Sequence, residues 1–565
     1  MPFLSNEERA FARTILQLAY CNPFLPERIE YERQALGSAF VEVEAIWSRR
    51  ADLDVESPNV KEILGRTQQL ADRLRDSLVQ GERPGGEDLA LYETLALFTL
   101  YHHFFPQFKA TTMRALQGRA RAAGKGARAA FFADFLRDYG HYMDCGGLRV
   151  YEAASDGAMA AGGGAMATGA VAAGAAPGVS AGGNDEAQEE PAPRKNKNLE
   201  SSAAHLFACF FQVCRAFIHI FDNILGESMP AARLRAAAWQ SIFTHDMRRY
   251  RRVLYDRMAD VTCLICGPSG TGKELVARAI GLSRFIPFDP ATHSFKEEFA
   301  ASFYPLSISA LAPTLVESEL FGHRRGAFTG AIQDRAGWLE VCPPLGTVFL
   351  DEIGDIDGSI QVKLLRVLQT RGFQRLGETG ERVFRGKIIA ATNRDLVAEM
   401  RAGRFREDLY YRLCSDIIVT PSLYEQLCDS ADVLPNLVRH VAGRLVGEDG
   451  REAEALAGEV LAWVNHNLGR DYRWPGNVRE LEQCVRNVMV RNAYVPVAQK
   501  PQSVHEQLAG LMLAGALTAD ELLGQYCTII YAQTRNYQET ARRLGLDHRT
   551  VKGRIDPVLL EKLSQ

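Results

Sequence analysis

The sequence has no excess of positive charge, no cysteine framework and no uninterrupted apolar run. Its 65 Lys and Arg against 69 Asp and Glu give a net charge of −4 over 565 residues, so any nucleic-acid contact must come from a local basic patch. Eleven cysteines are scattered without framework spacing, as is typical of a reducing cytosol. Cys263 and Cys266 lie in an apolar run, which favours a buried strand over a redox or metal site.

A secretory leader and a membrane span are also lacking. The first eight residues contain neither the basic segment nor the apolar segment of a signal peptide. The most apolar window, 206–225, is interrupted by charged and amide side chains, which makes it a poor membrane-spanning helix. We therefore expect a cytoplasmic protein without membrane association.

Strand-like alternation is absent from the first 150 residues, where apolar residues recur at helical spacing. Ser5 and Glu8 form a capping-box pattern, and Leu74 and Leu78 belong to a later helical repeat. Residues 1–150 are predicted to form an all-helical, all-α domain that regulates the rest of the chain.

Two aromatic-rich stretches of this domain, 101–105 and 139–142, allow two interpretations. Core packing explains them, and a pocket for a small molecule stays open as the alternative. The histidines among them lack a metal-binding spacing.

A low-complexity stretch comes next along the chain. Residues 153–183 are mostly Ala and Gly, a composition that cannot bury a core. We predict a flexible linker over 151–200 and an amphipathic linker helix over 201–225. The apolar stripe of that helix is suited to pairing with a second copy or to packing on the next domain.

A glycine-rich turn lies between an apolar strand and a helix. In such a turn several backbone N–H groups converge on one point, where the helix dipole also favours an anion. Lys273 supplies a charge for terminal phosphates, while Glu274 stands where the P-loop consensus has Ser or Thr. The turn predicts a nucleotide site and reads Gly267, Pro268, Ser269, Gly270, Thr271, Gly272, Lys273 and Glu274.

A second apolar strand carries two carboxylates at its end, where the ligands of open α/β sheets bind. Asp351 is placed to hold Mg²⁺, and Glu352 to polarise a water that attacks the γ-phosphate. A third strand ends in Asn393, whose amide is suited to hydrogen-bond the γ-phosphate or the attacking water. Together these features predict a P-loop ATPase that uses ATP and Mg²⁺.

A hexapeptide with glycine near both ends lies between these motifs. The glycines allow sharp bends around a bulky apolar side chain. Alone, it is either a tight turn that buries its aromatic ring or a loop that offers the ring to a partner. Its residues are Gly326, Ala327, Phe328, Thr329, Gly330 and Ala331.

The C-terminal residues 515–565 have the pattern of a helix-turn-helix domain. Gly545 makes the turn, Ala541 is small where the helices cross, and Val551 packs inward. The second helix is predicted to present a local basic face to double-stranded DNA, with a solvated helical hairpin as the alternative. That face consists of His548, Arg549, Thr550, Lys552 and Arg554.

Seven motifs in this order resemble the central domain of sigma-54-dependent transcriptional activators, the bacterial enhancer-binding proteins of the AAA+ class. The C-terminal pattern is similar to their Fis-type DNA-binding domain. The resemblance implies an α/β AAA+ core over 226–425 and a helical lid over 426–498. The motifs are the P-loop, 317–323, the hexapeptide, 350–354, 391–393, 404–413 and 474–481.

The resemblance also implies roles for single residues. In that family Glu commonly follows the P-loop Lys, in agreement with Glu274. Arg406 and Arg412 match the arginine fingers that reach the ATP of a neighbouring subunit, and Arg479 matches the sensor arginine of the lid. Because each site then needs two subunits, a closed ring of copies, usually a hexamer, is expected.

The function implied is binding to upstream DNA, ATP hydrolysis, and remodelling of the sigma-54 RNA polymerase holoenzyme through Phe328 and Thr329. Ser307 replaces the switch Asn that pairs with Glu352 in the family, and a hydroxyl makes only one of the amide's two contacts. Two alternatives stay open: an AAA+ remodeller of a different client, and a DNA-binding regulator without ATPase activity. The sequence does not identify the input signal.

Overall fold

The computed structural model divides into two compact units, Met1–Val490 and Arg491–Gln565. Residues 151–193 of the linker predicted over 151–200 lie outside the described residues, so a flexible linker there stays a prediction. The structure describes residues 3–42, 57–116, 128–150, 194–297, 302–447, 450–469, 471–496, 511–512, 515 and 517–563.

The described N-terminal residues are helical, as predicted, apart from one short hairpin. Ser5 Oγ accepts from the N–H of Glu8 at 3.2 Å, and the Glu8 carboxylate accepts from the N–H of Ser5 at 2.9 Å, which completes the capping box. The elements are α1 (Asn6–Tyr20), α2 (Glu27–Leu36), α3 (Pro58–Val79), α4 (Gly86–Leu116), α5 (Phe132–Met143), β1 (Asp144–Cys145) and β2 (Leu148–Arg149).

Helix α6 (Arg194–Asn223) begins inside the segment 151–200 that was assigned to the linker, which corrects that boundary. Of the two alternatives for the 201–225 helix, the structure favours packing on the next domain, since Ile220 shares a buried cluster with Ile265. Phe207 and Phe211 are at most 1% exposed because apolar residues occupy more than one of its faces. In the described part of the chain it is the one helix long and apolar enough to cross a membrane, yet 78% of its apolar window is buried in the protein.

A parallel sheet of five strands forms the centre of the first unit, in the order β13-β3-β12-β9-β6. Its strands are nearly continuous apolar runs because both faces are covered. Cys263 is buried in β3, as the sequence predicts. The strands are β3 (Cys263–Cys266), β6 (Phe303–Ser307), β9 (Thr347–Asp351), β12 (Lys387–Thr392) and β13 (Asp416–Val419).

Helices and three small hairpins surround this sheet. A π-helical turn, Tyr250–Leu254, precedes β3. The hairpins pair β4 (Phe288–Asp289) with β5 (Ser294–Phe295), β7 (Gly322–His323) with β8 (Arg335–Ala336), and β10 (Gly372–Phe373) with β11 (Arg382–Val383). The helices are α7 (Met229–Phe243), α8 (Met247–Arg249), α9 (Lys273–Gly281), α10 (Pro313–Phe321), α11 (Trp338–Val341), α12 (Gly358–Thr370), α13 (Leu396–Arg401) and α14 (Glu407–Leu413).

Helices alone make up the described remainder of the chain. Those after the sheet are α15 (Leu423–Asp429), α16 (Val433–Val446), α17 (Gly450–Asn467) and α18 (Asn477–Arg491). Those of the second unit are α19 (Ala519–Thr534), α20 (Tyr537–Leu544), α21 (His548–Arg554) and α22 (Pro557–Lys562).

Candidate functional site

The glycine-rich turn joins β3 to the first residue of α9. Gly270 has a φ of +79°, and a Cβ atom there would clash with the carbonyl oxygen of Gly476. Gly267 has a φ of +148°, and a Cβ there would clash with Thr420. The turn is therefore closely held on two sides, which explains its glycines.

Lys273 opens α9 and is only 7% exposed. Its Nζ donates to the carbonyl oxygens of Gly267 at 3.0 Å and Pro268 at 3.2 Å. Burial lowers the pKa of Lys273, and the carboxylates of Glu352 and Asp351 oppose that shift. The ammonium and the acid pair thus belong to one electrostatic site.

The two carboxylates lie at the end of β9. Glu352 has a φ of +57°, a strained conformation that is common at functional sites, and its N–H donates to Asp351 Oδ1 at 3.0 Å. Burial raises the pKa of Asp351, and the charge of Glu352 raises it further. Glu352 Oε2 accepts from the backbone N–H of Asn393 at 3.3 Å. Strand β12 lies between β3 and β9. The glycine-rich turn (residues 267–274, called the phosphate turn below), Asn393 and both acids therefore meet at one edge of the sheet.

Ser307, the predicted switch residue, ends β6 directly opposite Asp351. Its side chain makes no hydrogen bond to another described residue, and Glu352 is bonded to Asn393 instead. The structure therefore brings Ser307 beside the acid pair without the predicted contact to Glu352. Its switch role stays a prediction.

The start of α18 lies against the phosphate turn. Arg479 Nη1 donates to Ser269 Oγ at 3.1 Å, which brings the predicted sensor arginine to the turn. Asn477 donates from Nδ2 to the carbonyl of Ser269 at 2.9 Å and accepts from the N–H of Leu423 at 2.8 Å. The role of Asn477 was missed, although it lies within the motif 474–481.

The two predicted finger arginines lie on α14. Arg406 caps its start and binds Asp408 with both Nε (3.0 Å) and Nη2 (2.7 Å). The side chain of Arg412 is exposed and has no ion pair or hydrogen bond to another described residue. Both guanidinium groups are thus at the surface, as groups that act on another copy would be.

The hexapeptide forms a compact loop between β7 and β8. Gly326 (φ +80°) and Gly330 (φ +103°) make its bends, and the N–H of Gly326 donates to the carbonyl of Ala331 at 2.8 Å. Phe328 is half-buried, with its ring centroid 5.0 Å from that of His323. Thr329 is exposed. The aromatic ring is thus neither in the core nor free in solvent.

A network of ion pairs beside this loop was not predicted. Glu378 pairs with Arg324 at 2.9 Å and with Arg382 at 3.1 Å. Glu340 pairs with Arg375 at 2.6 Å and with Arg382 at 3.1 Å. Hydrogen bonding to Arg375 lowers the pKa of the Glu340 carboxyl. The network ties the base of the loop to the β10–β11 hairpin.

In the second unit, α20 and α21 are joined by a short turn. Gly545 has a φ of +65°, and the N–H of Leu546 donates to the carbonyl of Ala541 at 3.0 Å. Val551 is fully buried, as predicted. A Cβ at Gly553 would meet no atom within 4 Å, so packing does not require a glycine there.

The face of α21 agrees in part with its prediction. His548, Arg549, Thr550 and Lys552 are exposed. Arg554, predicted to point outward, instead donates from Nη1 to Asp520 Oδ1 at 2.8 Å and ties α21 to α19. Residues that the sequence did not single out, Arg535 and Tyr537, line one open groove together with Arg549 and Lys552.

Comparisons with known proteins match two ranges of this chain. The family described as "Sigma-54 interaction domain" matches residues 242–418, and "AAA+ ATPase lid domain" matches 430–507. These ranges contain the phosphate turn, the acid pair, the hexapeptide and all three arginines. The AAA+ domains are an ATPase family.

Several curated proteins are similar to the same region. The Nif-specific regulatory protein of Enterobacter agglomerans is 46% identical over 231 residues, which are 41% of this chain and 40% of that protein. ZraR, a transcriptional regulatory protein of Escherichia coli O157:H7, is 37% identical over 303 residues, which are 53% of this chain and 63% of ZraR. The match thus spans less than two thirds of either relative.

Among solved structures, NtrX from Brucella abortus is 24% identical, with 66% of this chain and 76% of that chain covered and a TM-score of 0.36. A score of that size supports no further statement. The chain therefore contains a sigma-54 interaction domain and an AAA+ ATPase lid domain, and this region is homologous to the Nif-specific regulatory protein and ZraR, which are sigma-54-dependent activators.

Proposed function

We propose that this chain hydrolyses ATP to activate transcription by the sigma-54 RNA polymerase holoenzyme. One observation carries the proposal: the strand that ends beside the acid pair is followed along the chain by one helix and then by the hairpin that holds the hexapeptide. Strand β6 ends at Ser307 opposite Asp351, and α10 leads from there to β7 and Phe328. A change at the nucleotide therefore has a short route to the loop.

The residues of the turn fit a nucleoside triphosphate with Mg²⁺. Backbone N–H groups of the turn would hold phosphate oxygens, and Lys273, which now donates to the carbonyls of Gly267 and Pro268, would supply a positive charge to the terminal phosphates. Asp351 keeps carboxylate oxygens available for water molecules of Mg²⁺, because Glu352 N–H is its one protein donor among the described residues. When bound, Mg²⁺ neutralises phosphate charge.

Glu352 is suited to orient and deprotonate the attacking water, since its carboxylate is bonded to a single backbone N–H. Arg479, which contacts the turn through Ser269, is proposed to move the lid when a nucleotide binds. The side-chain amide of Asn393 is proposed to position the γ-phosphate or the attacking water by a hydrogen bond.

Completion of the site requires a second copy. Arg412 is exposed without a described partner, and Arg406 is held by Asp408 until a stronger anion replaces that carboxylate. A guanidinium placed on the phosphates in this way contributes about 10³–10⁵ in rate. Copies that exchange arginines around a closed ring, a hexamer, satisfy every site at once.

The output is the loop. Release of the Phe328 ring from His323 presents it, together with the exposed Thr329, to sigma-54. The bound nucleotide shifts the equilibrium between the docked and the released loop, because it binds the two conformations of the chain with different affinities.

The second unit is proposed to be a Fis-type helix-turn-helix that holds upstream double-stranded DNA. Helix α21 enters the major groove, while Arg549 and Lys552 neutralise phosphates. Such an activator works in the cytoplasm, where the DNA and the polymerase are.

A reconstituted reaction distinguishes this proposal from the alternative, an AAA+ remodeller of another client. Purified chain, sigma-54 holoenzyme and promoter DNA are combined, and unpaired promoter bases are detected with permanganate. We expect promoter opening with ATP and none with a non-hydrolysable analogue. Hydrolysis without promoter opening on any sigma-54 promoter favours the alternative.

A further inference from the structure

A cavity of about 370 Å³ lies where the N-terminal helices meet the first residues of the sigma-54 interaction domain. Helix α4 lines it with Phe98, Tyr101 and His102, α6 with Phe210, and α7 with Phe243. Ring centroids are 4.5 Å apart for Phe98 and His102, and 5.3 Å apart for Tyr101 and Phe210. The wall is therefore aromatic and comes from both parts of the unit.

The polar groups of the lining without a hydrogen-bond partner among the described residues include the Tyr101 hydroxyl and the His102 imidazole. Burial, and then the charge of Arg28, lower the pKa of His102 to about 3, so its ring is neutral near pH 7. Burial raises the pKa of Tyr101, which keeps its proton. The lining thus offers neutral donors and an acceptor.

The charged side chains of the lining are already paired. Arg28 Nε lies 3.0 Å from Glu32 Oε1, and Arg251 Nη2 lies 2.8 Å from Glu93 Oε1. An ionic ligand would lose its water shell here without gaining an unpaired counter-charge. The electrostatics therefore favour a neutral ligand.

We propose that this cavity binds a neutral aromatic molecule of one or two rings with one hydrogen-bonding group, and that it is an input site of the ATPase. A cavity of about 150 Å³ holds benzene, so the larger volume here leaves room for a second ring. An empty cavity deprives its walls of contacts, so an apolar ligand that fills it stabilises the folded chain.

A buried cluster connects the cavity wall to the strand and the helix on either side of the glycine-rich turn. Phe243 belongs to the same buried cluster as Ile265 of β3 and Ile280 of α9, the two elements that flank the turn. The Arg251–Glu93 pair joins the π-helical turn to α4. This input role rests on the proposed function, whereas binding to the cavity does not.

Calorimetry on the full chain tests binding with two probes, indole and indene, which has a CH₂ in place of the indole N–H. We expect both to bind, with indole about five- to tenfold tighter, the effect of one hydrogen bond. Binding of neither probe overturns the proposal in favour of an unfilled packing defect. Equal affinities overturn the assignment of a hydrogen-bonding group.

Filling the cavity tests the location. Val213 lines it from α6, so Val213→Trp is expected to weaken indole binding at least tenfold and to raise the melting temperature of the free chain. Val79→Trp, at an exposed position at the end of α3, should bind indole like the wild type. Val213→Phe replaces Val213→Trp if the latter does not fold. Unchanged indole affinity in the folded Val213 variant overturns the proposal.

The input role is tested by measuring the dissociation constant of indole with and without a non-hydrolysable ATP analogue. Binding linkage is reciprocal, and we expect at least a threefold difference. Equal constants on nucleotide-bound chain overturn the input role. A chain that binds indole but no nucleotide contradicts the proposed function and supports the binding site.

Discussion

The ring of Phe328 lies against the imidazole of His323, with centroids 5.0 Å apart and ring planes at 69°. His323 is itself fixed, because its Nδ1 lies 2.7 Å from Ser318 Oγ. An aromatic pair of this geometry contributes about 0.5–1.5 kcal/mol. The resting loop is therefore held by a contact weak enough to be broken during the ATPase cycle.

His323→Ala should release the loop without changing ATP binding. Arg324 and Arg325 lie beside the hexapeptide and provide trypsin sites, so cleavage there should accelerate about two- to tenfold, in proportion to the lost contact. Limited proteolysis measures the rate, with the exposed His466→Ala as control. An unchanged rate would show that His323 does not restrain the loop.

Arg412→Ala and Glu352→Gln should each abolish steady-state ATPase activity, one by removing a finger and the other by removing the base. Mixed in equal amounts, they should regain activity, because about a quarter of the interfaces then combine an intact finger with an intact acid. The ATPase rate is measured as a function of the mixing ratio. In the control mixture, Arg401→Ala, at an exposed position, replaces Arg412→Ala. No recovery in mixed rings argues against fingers that act between subunits.

As the pH is lowered, affinity for Mg²⁺-ATP should begin to fall at a higher pH than an ordinary Asp ligand would cause. Burial and the charge of Glu352 raise the pKa of Asp351, so its carboxyl takes up a proton at higher pH than an ordinary Asp and then no longer holds Mg²⁺. Glu352→Gln removes that charge and should move the fall to lower pH. The dissociation constant of Mg²⁺-ATP is measured over a series of pH values for the wild type and for Glu352→Gln. If the two pH curves superimpose, the coupling of the two acids is contradicted.

Arg549→Ala should weaken DNA binding and reduce the dependence of log affinity on log salt by about one ion. Its matched control is Arg542→Ala on α20, since Arg542 is paired with Glu539 at 2.9 Å and is absent from the groove lining. Filter binding at several salt concentrations gives the slopes. Equal slopes in the two variants would contradict a DNA contact by Arg549.

Local patterns were sufficient to predict where the chemical groups of the candidate site lie. Lys273 and the pair Asp351–Glu352 come directly after strands or turns whose geometry is determined by neighbouring residues, so the sequence placed them correctly at one sheet edge. Gly545 and Val551 were predictable for the same reason. The family resemblance added the predicted finger arginines, which no local pattern identifies.

Long-range contacts were not predictable. Arg554 pairs with Asp520, and Asn477 with Leu423, across dozens of residues that carry no periodic signal. The packing of α6 on the next domain was left open beside pairing with a second copy, because an apolar stripe does not identify the surface that covers it. One contact that no pattern predicts is Gln212, which donates to the carbonyl of Ser283 at 2.9 Å inside the protein.

The central claim is that Phe328 transmits ATP hydrolysis to sigma-54. The most direct measurement compares promoter opening, ATPase rate and DNA affinity of Phe328→Ala with those of the wild type. We predict that promoter opening is lost while the ATPase rate and DNA affinity change less than about twofold, because the ring contacts His323 rather than the acid pair. Promoter opening at the wild-type level by Phe328→Ala would contradict the account.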